Sequence, residues 1–172
     1  NGQLHRGHHG AAGEVFYVPF GDPLDKHRSE TNPSGDRIAE ITRNLAKKYR
    51  NSSLQEPYST VDILSAAKAG DALGKAVVAQ EAERIALYIA AVSAITDVEL
   101  VVLSGGIGRQ AEFFLAPIKK LVTEILPFPP KIAVSKLGDN GILIGTLQIA
   151  TEESREKVFQ SAMVPAALDQ AK

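Results

Sequence analysis

The stretch that decides the fold is "KAGDALGKAVVAQEAERIALYIAAVSAITDVELVVLSGGIG", residues 68–108. Gly70 ends one helix and Asp71 starts the next. From Asp71 to Thr96, Val78, Ala82, Ile85, Ile89 and Val92 alternate four and three residues apart, which predicts one long helix with a single apolar stripe. "VELVVLSGGIG" (98–108) then reads as a short buried strand running into a glycine turn, with a helix beyond it. Glycines at Ser104-Gly105-Gly106 let a backbone approach a ligand, and the helix amides offer an anion or ribose site. In open α/β sheets ligands sit beyond the carboxyl ends of strands. A tight turn needing positive φ accounts for the same residues, and both readings stand at this point. The segment is neither a Walker loop nor a Gly-x-Gly-x-x-Gly fingerprint. Ser104 also lacks the Gly-x-Ser-x-Gly setting of a nucleophile elbow.

Downstream, the helix after Gly106 is expected to run through Ile125, kinked by Pro117. "PFPP" (127–130) stops it. "KIAVSK" (131–136) reads as another strand, "LGDNG" as a turn, and "ILIGTLQIATEE" (142–153) as the start of a last helix. The tail after Phe159 is expected to fray. Upstream, Ile38, Ile41, Leu45 and Tyr49 predict a helix from Asp36, and Thr60 is placed to cap a short helix through Ala69. Residues 21–35 read as a polar loop. The opening "NGQLHRGHHGAAGEVFYVPFGD" (1–22) reads as strand, glycine loop and a second strand over Val15 to Phe20. Strand–helix alternation points to an α/β fold with several parallel strands.

The chain has 172 residues, 44% of them hydrophobic and 23% charged, which is enough for a folded core and excludes a disordered chain. A formal net charge of −1 gives no global reason to expect nucleic-acid binding by this chain. With no cysteine, disulfides and thiolate metal sites are excluded, and a cytoplasmic protein is expected. No apolar run reaches the roughly 18 residues needed to span a bilayer. His5, His8 and His9 cluster, but adjacent His8 and His9 do not easily converge on one ion and no His-x-x-x-His pair is present. They read as exposed loop histidines. Glu14, after Gly-Ala-Ala-Gly, is placed to accept hydrogen bonds from ligand hydroxyls. A turn carboxylate, paired with Arg6 or solvated, is the alternative.

Three segments together resemble one family. "NGQLHRGHHGAAGE" is similar to the sugar-site segment of the ROK family (repressors, open reading frames and sugar kinases). Residues 68–108 resemble its long central helix and nucleotide-side strand, and "VSKLGDNGILIGTLQIA" its closing turn and helix. The likeness spans roughly residues 1–152 in the family's order, while 23–58 finds no clear match. It implies an actin-like ATPase (ribonuclease-H-like) fold, of which this chain is the C-terminal lobe over 1–159, with 160–172 a tail. The Asp-x-Gly-x-Thr phosphate segment, the catalytic Asp and its neighbouring Asn would belong to sequence upstream of residue 1. No catalytic residue is therefore assigned here, and this chain alone is not expected to phosphorylate a sugar, since phosphoryl transfer needs phosphates, metal and hydroxyl held in line.

By the same resemblance Gly13, Glu14 and Tyr17 lie at the substrate site. Gly105, Gly106 and Ile107 match the segment that borders adenosine. Where the family has Gly-Glu-Ile-Gly-His, this chain has Gly13-Glu14-Val15-Phe16-Tyr17. Tyr17 stands in place of a histidine that touches sugar and ligates zinc. The family's Cys-x-Cys-Gly-x-x-Gly-Cys-x-Glu is replaced by "GDPLDKHRSETNPSGD", so the family's zinc site is absent and Glu30 is a candidate for its second Glu. Three functions follow as expectations: the effector-binding and dimerisation lobe of a ROK transcriptional regulator, a zinc-free sugar kinase, or a ligand-free scaffold with Phe16 and Tyr17 filling the old pocket. The first carries no cofactor in this chain, a sugar or sugar-phosphate effector, a homodimer, DNA contacted only through a domain outside the chain, and no membrane. ATP and Mg enter only for the kinase.

Overall fold

The computed structural model of the chain describes residues 4–18 and 35–169. In chain order the elements are α1 (Gly35–Ala46), α2 (Thr60–Lys68), α3 (Ala72–Thr96), β1 (Leu100–Leu103), α4 (Gly105–Arg109), α5 (Ala111–Ile125), β2 (Lys131–Val134) and α6 (Gly141–Asp169). Single 3₁₀ turns lie at Val15–Tyr17 and Gly138–Asn140. The chain divides into two compact units: residues 1–101 with 110–133, and residues 102–109 with 134–172. The division falls within both strands.

In the first unit, α3 packs against α1, α2 and α5. Its buried residues include Leu73, Val77, Ala82, Ile85, Ala86 and Ile89. Ile38 and Ile41 of α1, Ile63 of α2, and Leu73 and Val77 of α3 form one core cluster, with Leu45, Tyr49, Leu54 and Tyr58 packed against it. Phe114, Ile118 and Val122 recur one turn apart on α5 and are all buried. Each such side chain contributes roughly 1.5–3 kcal/mol on burial. At the α2–α3 junction, a Cβ on Gly74 would stand 2.6 Å from the Ala67 amide nitrogen and 3.0 Å from the Ile63 carbonyl oxygen. Only glycine lets those two helix backbones come so close.

Asp71 ties this junction together. Its carboxylate caps α3 by accepting from the Gly74 amide at 3.0 Å. It also accepts from the Ser53 amide at 2.9 Å and from the Ser52 hydroxyl at 3.0 Å. A segment nineteen residues upstream is thereby fastened to the head of α3. Those amide and hydroxyl donors, with Gly74 foremost, hold the Asp71 carboxyl at about 2, below its usual 3.8. Ser59, not Thr60, caps α2: its hydroxyl accepts from the Asp62 amide at 3.1 Å. Ser59 has extended φ/ψ and so sits one residue outside the helix, where a cap belongs.

The strands β1 and β2 form a two-stranded sheet. Lys131 donates to the Glu99 carbonyl and Ser135 to the Leu103 carbonyl. Both positions advance by four residues, so the strands run parallel. Burial departs from expectation: in β1, Leu100 and Val102 are about half exposed and Leu103 is buried, while Ile132 is buried in β2. Paired strands meet edge to edge, so a strand face is buried only where another element packs on it.

Three further readings are corrected. Residues 15–18 are not a strand. Glu14 carbonyl accepts from Tyr17 and Val15 carbonyl from Val18, closing a 3₁₀ turn directly after the positive-φ residues Gly10 and Gly13. Residues 4–7 form no regular element. The helix expected over 105–125 is two helices, broken at Gln110, with Pro117 inside the second. In the second unit α6 continues well past Phe159, to Asp169, and its described side chains from Ile142 onward are exposed. Among the described residues, no helix is long and apolar enough to cross a membrane. The polar loop read over 21–35, with His27 and Glu30, lies outside the described residues up to position 34, as do residues 19 and 20 of the expected strand.

Candidate functional site

The residues singled out by sequence fall in two places, one in each unit, and each is described by itself. In the first unit, Gly7, Gly10 and Gly13 all take positive φ, so the chain from His5 to Glu14 folds back in successive tight turns. The Ala12 amide donates to the Arg6 carbonyl at 3.1 Å and the Val15 amide to the Gly13 carbonyl at 2.7 Å. Glu14 sits at the head of the 3₁₀ turn, is exposed, and makes no capping hydrogen bond through its side chain. Tyr17 lies in the same turn, its amide bound to the Glu14 carbonyl at 3.2 Å, and its side chain is 76% exposed. Gly13, Glu14 and Tyr17 are thus brought together within one turn.

His5, His8 and His9 are exposed, and the His8 and His9 rings meet edge to face at 4.5 Å. Among the described residues, no three His, Asp or Glu side chains converge as a set that could hold a metal ion.

In the second unit, Gly105 has φ +61°, a conformation that L side chains rarely adopt. The Gly108 amide donates to the Ser104 carbonyl at 3.1 Å, and a Cβ on Gly108 would come within 2.9 Å of the Leu103 carbonyl oxygen. A sharp strand-to-helix turn thus accounts for Gly105 and Gly108, while a Cβ on Gly106 would meet open space. Gly105 and Gly106 are exposed and Ile107 is half-buried, so the turn presents its backbone outward. With five residues, α4 is too short to carry much of a helix dipole.

One charged group in the first unit gave no signal in the sequence reading. Glu81 of α3 is 1% exposed, and both carboxylate oxygens lack a hydrogen-bond partner among the described residues. Burial pushes its carboxyl above the ordinary range, partly offset by Arg84 and Arg37. The available signal was positional. Leu73, Val77, Glu81 and Tyr88 lie on a second stripe of α3, beside the one read from Val78 to Val92.

Comparison with known proteins fits this architecture. The ROK family model matches residues 1–153. The chain is 29% identical over 150 residues to the bifunctional enzyme NanE/NanK of Brucella melitensis, covering 87% of this chain and 27% of that protein. It is 29% identical over 133 residues to a glucokinase of Halalkalibacterium halodurans, covering 70% of this chain and 40% of that one. Among solved structures it is similar to a putative sugar kinase from Cytophaga hutchinsonii, with TM-score 0.73 and 23% identity over 88% of this chain and 52% of that one. A ROK family protein from Streptococcus pneumoniae in complex with sucrose gives TM-score 0.72 and 23% identity, over 91% of this chain and 54% of that one. A ROK family transcriptional regulator, a homologue of the E. coli MLC protein, gives TM-score 0.52 and 24% identity over 59% of this chain and 27% of that one.

The fold is therefore the actin-like ATPase fold, mixed α/β and mostly helical here. The chain belongs to the ROK family. It spans about a quarter to two-fifths of the length of the curated relatives it matches.

Proposed function

We propose that this chain is the sugar-recognising lobe of a ROK-family transcriptional regulator of carbohydrate metabolism. One observation carries the reading. Glu14 keeps an exposed carboxylate on the turn where the family resemblance places a sugar-binding Glu, while Phe16 and Tyr17 occupy the positions of the family's Gly and zinc-ligating His. The whole chain contains no cysteine, so a thiolate zinc set does not fit these residues. Recognition of hydroxyls is retained at this turn and the metal scaffold is lost, as relaxed catalytic demand would allow. A carboxylate binds a sugar by accepting hydrogen bonds from hydroxyl pairs, and charge-assisted bonds of this kind are stronger than neutral ones.

In this reading the effector is a sugar or sugar phosphate, and the protein works as a homodimer in the cytoplasm. DNA is contacted only through a domain outside residues 1–172, consistent with the chain's net charge of −1. Gly105 serves the turn whether or not nucleotide binds, whereas a Cβ on Gly106 would meet open space.

The test is calorimetry on the intact protein with hexoses and N-acetylhexosamines. Saturable binding that Glu14→Ala abolishes is expected; no binding to any of them sinks the sugar reading and favours a scaffold. A sugar-dependent change in operator binding by the intact protein supports the regulator.

The names of the curated relatives, NanE/NanK and glucokinase, favour a second reading: the corresponding lobe of a zinc-free sugar kinase that uses ATP and Mg. ATP-dependent phosphorylation of a bound sugar by the intact protein would replace the first reading with this one.

A further inference from the structure

We draw no further inference here: the strongest candidate, the exposed apolar side chains along α6 from Ile142 to Phe159, is an unpartnered helix face, and nothing in the structure shows what covers it.

Discussion

Two carboxylates in α3 and its cap behave in opposite ways, and each can be read by titration. Asp71 is held at about 2 by the Gly74 and Ser53 amides and the Ser52 and Ser53 hydroxyls, against 3.8 ordinarily. Its folded pKa lies below the unfolded one, so the unfolded chain takes up the proton first. The stabilisation is complete above about pH 4 and is lost as pH falls towards 2. Asp71→Ala is expected to cost about 1–2 kcal/mol, read as a lower urea midpoint with unchanged slope. Glu81 has the reverse sign. Burial raises its folded pKa, so the native state holds the proton longer, and stability falls as pH rises through and above the ordinary carboxylate range. Glu81→Gln is expected to raise the melting temperature at pH 8 relative to the natural chain, with the difference shrinking towards pH 4. An equal loss at both pH values would mean that the carboxylate is ionised and paired. The sequence showed Asp71 as a helix start, because a Gly-Asp pair before an apolar stripe is a local signal. It did not show Ser52 and Ser53 as its partners, nor that Glu81 is buried, because both depend on neighbours brought in by folding.

At the scale of elements, the helices were the most legible part. Their apolar residues recur at 3.6-residue spacing, and a helix satisfies its own backbone. The seam between α2 and α3 was not legible, although it rests on a single atom. Gly74→Ala places a methyl 2.6 Å from the Ala67 backbone nitrogen, which cannot yield as a flexible side chain would. The expected cost is roughly 1–3 kcal/mol, measured by thermal unfolding, with larger side chains worse. Pro117 offers a contrast. It has no amide to offer the Phe113 carbonyl, yet α5 continues through it because Phe114, Ile118 and Val122 bury one continuous stripe. Ile118→Ala should cost about 2–5 kcal/mol in the same assay, since Ile118 is fully buried. The break falls instead at Gln110, where the Phe113 amide bonds back to the Gln110 carbonyl. The strands β1 and β2 lie where the sequence predicts them, but the strand expected from Val15 does not form. Val15 to Val18 has strand composition, but glycine turns precede it and its amides close a 3₁₀ turn instead.

At the scale of the whole molecule, the proposed division of labour sets a clear expectation. Residues 1–172 alone should not transfer phosphate from ATP to hexoses or N-acetylhexosamines in a coupled assay, because the resemblance places the catalytic Asp and phosphate segment outside them. Turnover by this chain alone would overturn the assignment of those groups. Within the chain, the sequence by itself determined the helices α1 to α3, the strand-to-turn passage at Leu103 to Gly108, the family, and the absence of cysteine. These are periodicities and local residue choices, readable without knowing what lies across the fold. Only the tertiary structure decided that Glu14 and Tyr17 share an exposed turn, that Leu100 and Val102 stay half exposed, that Asp71 fastens the Ser52 segment, and that Glu81 is enclosed. Each is an outcome of burial or hydrogen bonding set by the folded backbone. Hydrophobic and polar groups carry their chemistry in the sequence, but whether water reaches them is settled by what packs around them.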